Sequence, residues 1–444
     1  MCRPAEAGPF GPRLDEPIPS ERTRIGTCAG SSWWDRLVSH PRVARVSAGR
    51  SVFIRGQFDP LHARGNCGWA DGMRVVVDAR TVYSPVRRGT GKNLIDLYRA
   101  MATLKPEWSF QMLHRQRPPS DDPFEAYSNV SAHAVDITGD RWNLWEQVRL
   151  PLAALREKAS VLHSPANTAP AMPLVPLVMT IHDLIPLEGR DSVAARAWKA
   201  NVLRGAKRAR RVITPSAYTQ RLLSERLHIP AEKIVVNHWA QDRACRRVTD
   251  PREIERVCTR YGLSAGQPYV FGFAAADPRK NTARIIEAWA GVQPAIRSQF
   301  ALLLVGLQEP ALTEMRHYAE SVAPGRGWHL SAFAAEADMP ALMSGATMLC
   351  YPSLSEGFGL PVLDAFACGT VVVTSNTTSL PEVAGDAAVL VNPADVSAIR
   401  AAIEQVATDA GLRDRLRSRG FERLQAFSWE RCARTAAATL EAAA

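Results

Sequence analysis

The 444-residue sequence lacks several features that would assign a protein to a class at once. No apolar run reaches the roughly eighteen residues that a membrane-spanning helix needs, and apolar segments such as Tyr269–Phe273 and Ala301–Val305 have the length of strands. No Asp-x-Asp metal signature occurs. No Gly-x-Gly-x-x-Gly follows the strands predicted at Val75 and Phe271, which argues against a dinucleotide-dependent oxidoreductase.

The cysteines are few and scattered. The eight thiols form no Cys-x-x-Cys pair and no Cys/His spacing of a metal site, and a disulfide scaffold would be unusual in a chain of this length. The N-terminus also lacks the basic-then-apolar pattern of a signal peptide. We therefore expect reduced thiols, no bound metal and a cytoplasmic location.

Lysine is scarce although the net charge is +10. Seven of the 54 basic residues are lysine, which leaves 47 arginines. The planar arginine fork suits phosphate groups, but a biased genomic base composition would give the same excess. The charge is spread along the chain without a nucleic-acid recognition motif, so we do not expect a nucleic-acid partner.

Residues 1–72 differ from the rest of the chain. They hold 9 Gly and 7 Pro, no lysine, and only one short candidate strand, Val52–Arg55. Met73 then opens a clean strand. Two interpretations stay open: 1–72 is a translated upstream stretch before a true start at Met73, or it is a disordered leader. N-terminal sequencing of the native protein distinguishes the two.

From residue 73 onward, short apolar strands alternate with amphipathic helices. The first strand, Arg74–Val77, precedes a loop with Gly89 and Gly91 and then a helix over Asn93–Met101. Later predicted elements are Leu177–Ile181, Val193–Ala209, Arg211–Thr214, Ala217–Leu227 with Ser216 as its cap, Ile234–Val236, Tyr269–Ala274, Ala301–Val305, Trp328–Ala332, Met348–Tyr351, Val371–Thr374 and Ala388–Val391. Such alternation predicts parallel sheets with helices on both faces.

The alternation stops at a polar, basic segment and then restarts. We therefore predict an α/β architecture of two doubly wound, Rossmann-like domains that face each other across a cleft. The predicted domains are 73–245 and 246–427, followed by a C-terminal helix in 428–444. Ligands of such sheets bind beyond the carboxyl ends of the strands, so the loops there are the first places to look for chemistry.

The segment after the strand Met348–Tyr351 is the most informative. Pro361 suits the first position of a helix and Gly369 suits its left-handed end. Glu356 then lies in the preceding loop and Asp364 in the first helical turn. The carboxylates could bind sugar hydroxyls, while the helix N-terminus could bind phosphate. The plainer alternative is that both carboxylates only favour the positive end of the helix.

Two cations follow the strand Tyr269–Ala274. Arg279 and Lys280 would face the cleft, where they could hold a diphosphate and stabilise the charge that grows on it as it leaves. The alternative is a solvated turn before a helix that Asn281 caps.

Two signals in the N-terminal half are weaker. Gly89 and Gly91 could let the backbone approach phosphate closely, although a plain loop explains them as well. His182 and Asp183 end a strand at the cleft, where the imidazole could contact a sugar hydroxyl or be a satisfied structural group. His163 is a weaker candidate of the same kind.

Together and in this order, the motifs resemble the retaining glycosyltransferases of family 4, which have the GT-B fold. The resemblance covers about 73–444 and is nearest to the mannosyltransferase-like group of bacterial polysaccharide assembly. It rests on Glu356–Gly369, Ser379–Gly385, Asp277–Asn281, Ile181–Pro186, Trp145–Gln147 and Val75–Arg80. Phe427–Glu430 resembles the start of the family's last helix, which crosses back to the N-terminal domain. A nucleotide-sugar epimerase shares the general fold but not this order of motifs.

The resemblance implies a role for each matching position. Glu356 and His182 would contact the donor sugar, Arg279 and Lys280 would hold its diphosphate, and Asp364 would bind the ribose. The other implied donor-binding positions are Gly91, Gly357, Phe358, Gly359 and Leu360. The family's second acid is usually Glu, whereas this chain has Asp364. A catalytically silent GT-B protein that binds a nucleotide sugar or serves in assembly is therefore the alternative.

The resemblance also implies the reaction. A hexose would pass with retention from a nucleotide-diphosphate sugar to an acceptor hydroxyl, with no cofactor and no metal. GDP-mannose is the first expected donor and a UDP-hexose the next. The acceptor would be a glycan or a polyprenyl-diphosphate-linked glycan.

A basic amphipathic stretch, Lys199–Arg211, bears on where the protein works. It could lie on anionic lipid at the inner face of the cytoplasmic membrane, or it could be a solvated helix face.

Overall fold

A computed structural model describes residues 72–84, 89–115, 122–135, 144–188, 192–325 and 327–444. The predicted leader 1–72, with its candidate strand Val52–Arg55, lies outside the described residues apart from Gly72. Elements are numbered below in chain order within the described ranges.

The first sheet has seven parallel strands in the order β3-β2-β1-β4-β5-β6-β7. These strands are β1 Arg74–Asp78, β2 Ser109–His114, β3 Val130–Ala134, β4 Val161–Ser164, β5 Leu177–Thr180, β6 Arg211–Thr214 and β7 Ile234–Val236. The order turns between β1 and β4, as in a doubly wound fold, and ligand sites of such sheets lie at that turning point.

The second sheet repeats this design with six parallel strands in the order β10-β9-β8-β11-β12-β13. They are β8 Tyr269–Phe273, β9 Ala301–Val305, β10 Trp328–Ser331, β11 Met348–Tyr351, β12 Val371–Ser375 and β13 Ala388–Val391. The order turns between β8 and β11. Two doubly wound parallel sheets confirm the predicted fold class, and the predicted boundary at 245/246 falls between them.

Helices cover both faces of each sheet. In the first half they are α1 Gly89–Leu104, α2 Leu150–Arg156, α3 Val193–Arg208 and α4 Ala217–Leu227. In the second half they are α5 Pro251–Arg260, α6 Thr282–Gly291, α7 Pro294–Arg297, α8 Ala311–Val322, α9 Met339–Gly345, α10 Leu360–Cys368, α11 Leu380–Ala384, α12 Val396–Thr408, α13 Ala410–Leu424 and α14 Trp429–Glu441. A π-helical turn, Trp145–Arg149, runs directly into α2.

Strand β1 shows how the sequence builds this layering. Val75 and Val77 point to the face that α1 and α14 cover, and Val76 points to the opposite face, where it joins Trp145 and Val202 in a second core. All three valines are completely buried. A continuous apolar strand of this kind is what a sheet covered on both faces requires.

The last helix, α14, packs on the N-terminal domain although it ends the chain. Ser428 caps it by accepting a hydrogen bond from the backbone N–H of Arg431. The Asn237 side chain donates to the Cys432 carbonyl at 3.1 Å, and Arg210 donates to the Ala443 carbonyl at 2.7 Å. These contacts attach α14 to the first sheet.

Three sequence predictions were wrong in detail. The glycines Gly89 and Gly91 do not form a loop but open α1, so the helix begins four residues before the predicted start. Asp364 is the fifth residue of α10 and lies beyond its first turn. Strands β2 and β3 were missed; β3 has the sequence VSAHA and is largely exposed, so it carries little apolar signal.

Candidate active site

The two loops predicted to carry chemistry meet because their strands are neighbours. Strand β11 pairs with β8 through Met348 with Val270 and Leu349 with Phe271. The carboxyl ends of both strands therefore open at the same edge of the sheet. The loop after β8 carries Lys280 and the loop after β11 carries Glu356, so residues 76 positions apart come into contact.

Lys280, Tyr351 and Glu356 form a three-way hydrogen-bonded cluster at that edge. The Lys280 ammonium donates to the Glu356 carboxylate and to the Tyr351 hydroxyl, both at 2.7 Å, and the hydroxyl donates to the same Glu356 oxygen at 2.5 Å. Burial alone would lower the pKa of Lys280, but the neighbouring Tyr351 and Glu356 raise it above its ordinary value. The lysine therefore stays charged at the mouth of the cleft.

Local structure fixes the lysine in this place. Asp277 caps a short 3-10 turn by accepting from the Arg279 backbone N–H at 3.0 Å, and it pairs with the Arg279 guanidinium. Asn281 is left-handed, with φ of 63°. Its buried side chain donates to the carbonyls of Pro352 at 2.8 Å and Pro393 at 2.7 Å. Asn281 therefore joins neighbouring loops. Its side chain does not cap α6, so the alternative of a solvated turn before a helix capped by Asn281 was wrong on this point.

The glycine loop before α10 presents backbone donors. Within the described part of the chain, no protein acceptor meets the N–H groups of Gly357, Phe358, Gly359 and Leu360. Gly359 has φ of 114°, a conformation that other residues rarely adopt, and it turns the chain into the helix. Free N–H groups beside a helix N-terminus form a site that favours an anion.

This loop reaches the N-terminal domain through Gly357. A Cβ built on Gly357 would clash with the carbonyl oxygen of His182 and would lie 2.9 Å from the Asp183 Cβ. Only glycine permits so close an approach. The Gly357 carbonyl also accepts a hydrogen bond from the Ser216 hydroxyl at 2.7 Å. The structure therefore brings two predicted site residues, Gly357 and His182, together across the cleft.

His182 is held rigidly on its side of the cleft. Its Nε2 donates to the Pro165 carbonyl at 2.6 Å, its backbone N–H donates to the Asn167 side chain at 2.6 Å, and its ring packs edge-on against Trp239. Burial lowers the pKa of His182 to about 4, and the hydrogen bond to Pro165 only partly opposes this. The imidazole is therefore neutral at physiological pH, with Nδ1 left as an acceptor.

Asp364 bonds to the interdomain linker. Its Oδ1 accepts from the Asp242 backbone N–H at 2.8 Å. Burial raises the pKa of Asp364 to about 7, although the bond from Asp242 lowers it. One of its oxygens is therefore already used by the protein, and no hydrogen bond joins Asp364 to Glu356 within the described residues.

Close packing within the N-terminal domain is enough to require glycine at position 91. It is buried in α1, and a Cβ there would clash with the Thr81 carbonyl. The next residue, Lys92, reaches across to Glu336 of the other domain at 2.6 Å. The start of α1 therefore faces the C-terminal domain, where the resemblance puts the donor.

The sequence interpretation gave no role to three residues that the structure brings to this region. Tyr351 was read only as the last residue of a strand, although its hydroxyl joins Lys280 to Glu356. Asp183 accepts from the Ile185 backbone N–H at 3.1 Å, and burial raises the pKa of its carboxyl to about 6. Glu382 lay within a motif already noted, but no sequence signal shows that it bonds to the other domain.

No cluster of three His, Cys, Asp or Glu side chains able to hold a metal ion occurs in the described ranges. The same ranges contain no helix that is both long and apolar enough to cross a bilayer.

Two family descriptions match the two sheets in turn. The description Glycosyltransferase Family 4 matches residues 87–240, and Glycosyl transferases group 1 matches residues 258–423. Each match thus contains most of one doubly wound domain.

Named relatives agree with these matches. The O-antigen chain mannosyltransferase B of Escherichia coli is 32% identical over 286 residues, which cover 63% of this chain and 74% of that protein. The serotype-specific mannosyltransferase WbdA of Escherichia coli is 28% identical over 266 residues, covering 58% of this chain but only 32% of WbdA. A crystal structure of HepE from Anabaena with UDP and glucose is similar in fold, with a TM-score of 0.64 and 18% identity over 83% of this chain and all of that one.

Proposed function

This chain belongs to the GT-B glycosyltransferases of family 4, and from that premise we propose that it transfers a hexose from a nucleotide-diphosphate sugar to a hydroxyl of a glycan or lipid-linked acceptor in envelope polysaccharide assembly. The observation that carries the proposal is the Lys280–Tyr351–Glu356 cluster beside the free N–H groups of residues 357–360. The names of the mannosyltransferase relatives support it.

The positive groups of this edge suit a leaving diphosphate. Charge accumulates on the diphosphate as its bond to the sugar breaks, and preorganised donors stabilise that charge. Lys280, Arg279 and the N–H groups of the glycine loop supply such donors. Because the protein itself provides this positive charge, we propose that the donor sugar needs no separate cofactor.

We propose that transfer retains the configuration of the sugar by attack on the same face. The bond from the anomeric carbon to the diphosphate oxygen breaks, the acceptor oxygen bonds to that carbon, and the acceptor's proton passes to the departing diphosphate. Glu356 would orient the sugar without attacking it. The two donors on one of its oxygens support this role, since they reduce the nucleophilicity of the carboxylate.

GDP-mannose is the first proposed donor, because the relatives named above are mannosyltransferases. A UDP-hexose is the next, because the HepE structure contains UDP and glucose. Neutral His182 would accept a hydrogen bond from a sugar hydroxyl through Nδ1, and Asp364 would offer its second oxygen to the ribose.

The proposed location is the cytoplasm, with peripheral contact at the inner face of the membrane. The predicted stretch Lys199–Arg211 carries that contact only in part, because its apolar residues pack toward the core and Arg210 binds the C-terminal carbonyls. Its exposed residues on α3 are basic, namely Lys199, Arg204, Lys207 and Arg208. Exposed apolar residues lie on the same side of the sheet along the π-turn and α2, at Leu144, Val148, Leu152 and Leu155.

Flotation with anionic liposomes tests this contact. If basic and apolar residues share one surface, a Leu152→Ser, Leu155→Ser variant and a Lys207→Ser, Arg208→Ser variant should each float less than the unaltered protein. Flotation that both variants preserve would contradict the proposed contact.

Release of nucleoside diphosphate from a panel of GDP- and UDP-sugars tests the activity itself. One donor should be hydrolysed slowly without an acceptor, and Glu356→Ala should abolish that release. Turnover also separates the proposal from its alternative, a catalytically silent nucleotide-sugar-binding or assembly protein. The engaged carboxylate of Asp364 is the observation that favours this alternative. Thermal stabilisation by a donor without any turnover would support it.

A further inference from the structure

Glu382 makes a contact across the cleft, and the proposed reaction assigns this residue no role. It lies in α11 of the C-terminal domain, and its carboxylate reaches the N-terminus of α4 in the other domain. The backbone N–H of Ala217 donates to it at 2.8 Å and that of Tyr218 at 3.1 Å. His238, on the segment that leaves the first sheet, donates a third hydrogen bond from Nε2 at 2.7 Å.

The physical chemistry of a helix start explains this contact. The first N–H groups of a helix have no partner within the helix, and its dipole attracts negative charge. Ser216 satisfies the N–H of Thr219 from within the chain, and Glu382 satisfies the N–H groups of Ala217 and Tyr218 from the other domain. Partial burial would raise the pKa of Glu382, but the bonds from His238 and the two N–H groups lower it, so the carboxylate is charged.

The same helix start also holds the glycine loop of the candidate site. Ser216 donates to the Gly357 carbonyl at 2.7 Å. On the other side of that loop, the Ser379 hydroxyl lies 2.9 Å from the Glu356 carbonyl and 2.8 Å from the Phe358 carbonyl. Ser379 is the residue before α11, the helix that carries Glu382. The loop is therefore fixed between two elements that Glu382 joins.

We infer that Glu382 is a positioning residue for sugar transfer: it binds the N-terminus of α4 across the cleft and so holds the loop of Glu356 and Gly357 against His182. Its carboxylate already accepts three hydrogen bonds from the protein, so it acts through the loop and not on the substrate. The kinetic part of this inference rests on the proposed transferase activity. The structural part concerns only how the two domains are held together.

Three single variants test the contact from both sides. Glu382→Gln removes the charge and turns an amide N–H₂ toward the helix donors. Ala217→Pro removes one N–H from the partner side, and it suits the helix because proline is favoured at the first position and Ser216 is already extended, with φ of −148° and ψ of 153°. Glu404→Gln is the matched control, because Glu404 accepts the Gln293 N–H at 2.9 Å within one domain.

We expect Glu382→Gln and Ala217→Pro to lower the kcat of transfer roughly 10- to 100-fold, since small misplacement of reacting groups has effects of this size. Donor hydrolysis relative to transfer should rise, because a looser cleft admits water. Affinity for the nucleoside diphosphate and the activity of Glu404→Gln should stay within about threefold of the unaltered protein. The double variant should be no slower than Glu382→Gln alone, as expected for two partners in one contact.

Full activity of Ala217→Pro would overturn the inference, and so would additive losses in the double variant, since Glu382 would then act elsewhere. Small-angle scattering supplies a readout that needs no substrate: Glu382→Gln should enlarge the radius of gyration and Glu404→Gln should not. If the unaltered protein turned over no donor, the proposed activity would fail while scattering still tested the contact. An unchanged radius for Glu382→Gln would refute the contact's structural role.

Discussion

Replacing Lys280 by Met gives the sharpest test of the candidate site. The change keeps most of the side-chain volume but removes the ammonium, and with it the two 2.7 Å hydrogen bonds to Glu356 and Tyr351. Among the described residues, the Glu356 carboxylate, 11% exposed, would then keep only the Tyr351 hydroxyl as a hydrogen-bond partner.

The magnitude follows from how buried the pair is. Breaking a fully buried ion pair costs about 3–5 kcal/mol, and an exposed pair contributes about 0–1 kcal/mol. The Lys280 side chain is 27% exposed, so we expect an intermediate loss of about 1–2 kcal/mol in the free energy of unfolding. The loss in activity should be larger, about 10²- to 10³-fold in kcat, as when one donor to a developing negative charge is removed.

The chain offers a matched control in Lys105. Its ammonium pairs with Glu441 at 2.6 Å and its side chain is 26% exposed, so Lys105→Met removes an ion pair from a lysine of similar exposure, although Glu441 is 47% exposed. Lys105 follows the end of α1, and the sixteen-residue helix puts it about 24 Å from Gly89 at the start. Lys105→Met should therefore leave transfer unchanged.

Steady-state kinetics with the best donor, together with urea unfolding, read out both effects. A Lys280→Met protein that is folded and transfers sugar at the rate of Lys105→Met would refute a role for this cation in stabilising the leaving group. A large loss of stability in Lys280→Met with no further loss in kcat would reduce Lys280 to a structural residue.

Three further predictions concern neighbouring residues. Gly357→Ala should lower kcat at least about tenfold with little change in unfolding temperature, because the new Cβ would clash with the His182 carbonyl oxygen where the two domains meet. Steady-state rates and a melting curve check this. Tyr351→Phe should cost about 1–2 kcal/mol in urea unfolding but less activity than Lys280→Met, because Lys280 and Glu356 would still pair. The raised pKa of Asp364, about 7, means that the folded protein binds this proton more tightly than the unfolded chain does. The contribution of this proton to the free energy of unfolding is therefore complete below the ordinary pKa near 4 and is lost as pH rises through 7. Asp364→Asn should flatten that decline, by at most about 3 kcal/mol, between thermal unfolding at pH 5 and at pH 8; an unchanged slope would assign the decline to other groups.

Much of the fold could be predicted because its strands are strong local signals. Ala301–Val305 and Met348–Tyr351 were predicted to the residue, since both are short apolar runs that end at a breaking residue, Gly306 or Pro352. Strand β3 has only small or polar residues after Val130 and is mostly exposed, so only its pairing with β2 defines it. The start of α1 was missed because glycines weaken a helix in general, whereas here Gly91 is needed for contact with Thr81.

The candidate site was predictable as a set of residues but not as a geometry. Motif order brought Lys280 and Glu356 into one hypothesis, but only the neighbouring positions of β8 and β11 bring their side chains together. Tyr351 was missed because the end of a buried strand is an ordinary place for an aromatic residue. Glu382 was missed because two of its partners are backbone N–H groups of the other domain. Almost every residue has such a group, so the sequence does not indicate which of them Glu382 binds.

Because α14 packs on it, the N-terminal domain is built from two segments that are far apart in the sequence. Trp429 opens α14, and its indole N–H donates to the Gln241 carbonyl at 2.8 Å, so the two passages of chain between the domains lie side by side. Ala433, Ala436 and Leu440 then bury against the core that contains α1. No single cut can divide such a chain into two complete domains. During synthesis, the half that is made first therefore stays partly uncovered until residues 429–441 have left the ribosome and α14 can pack on it.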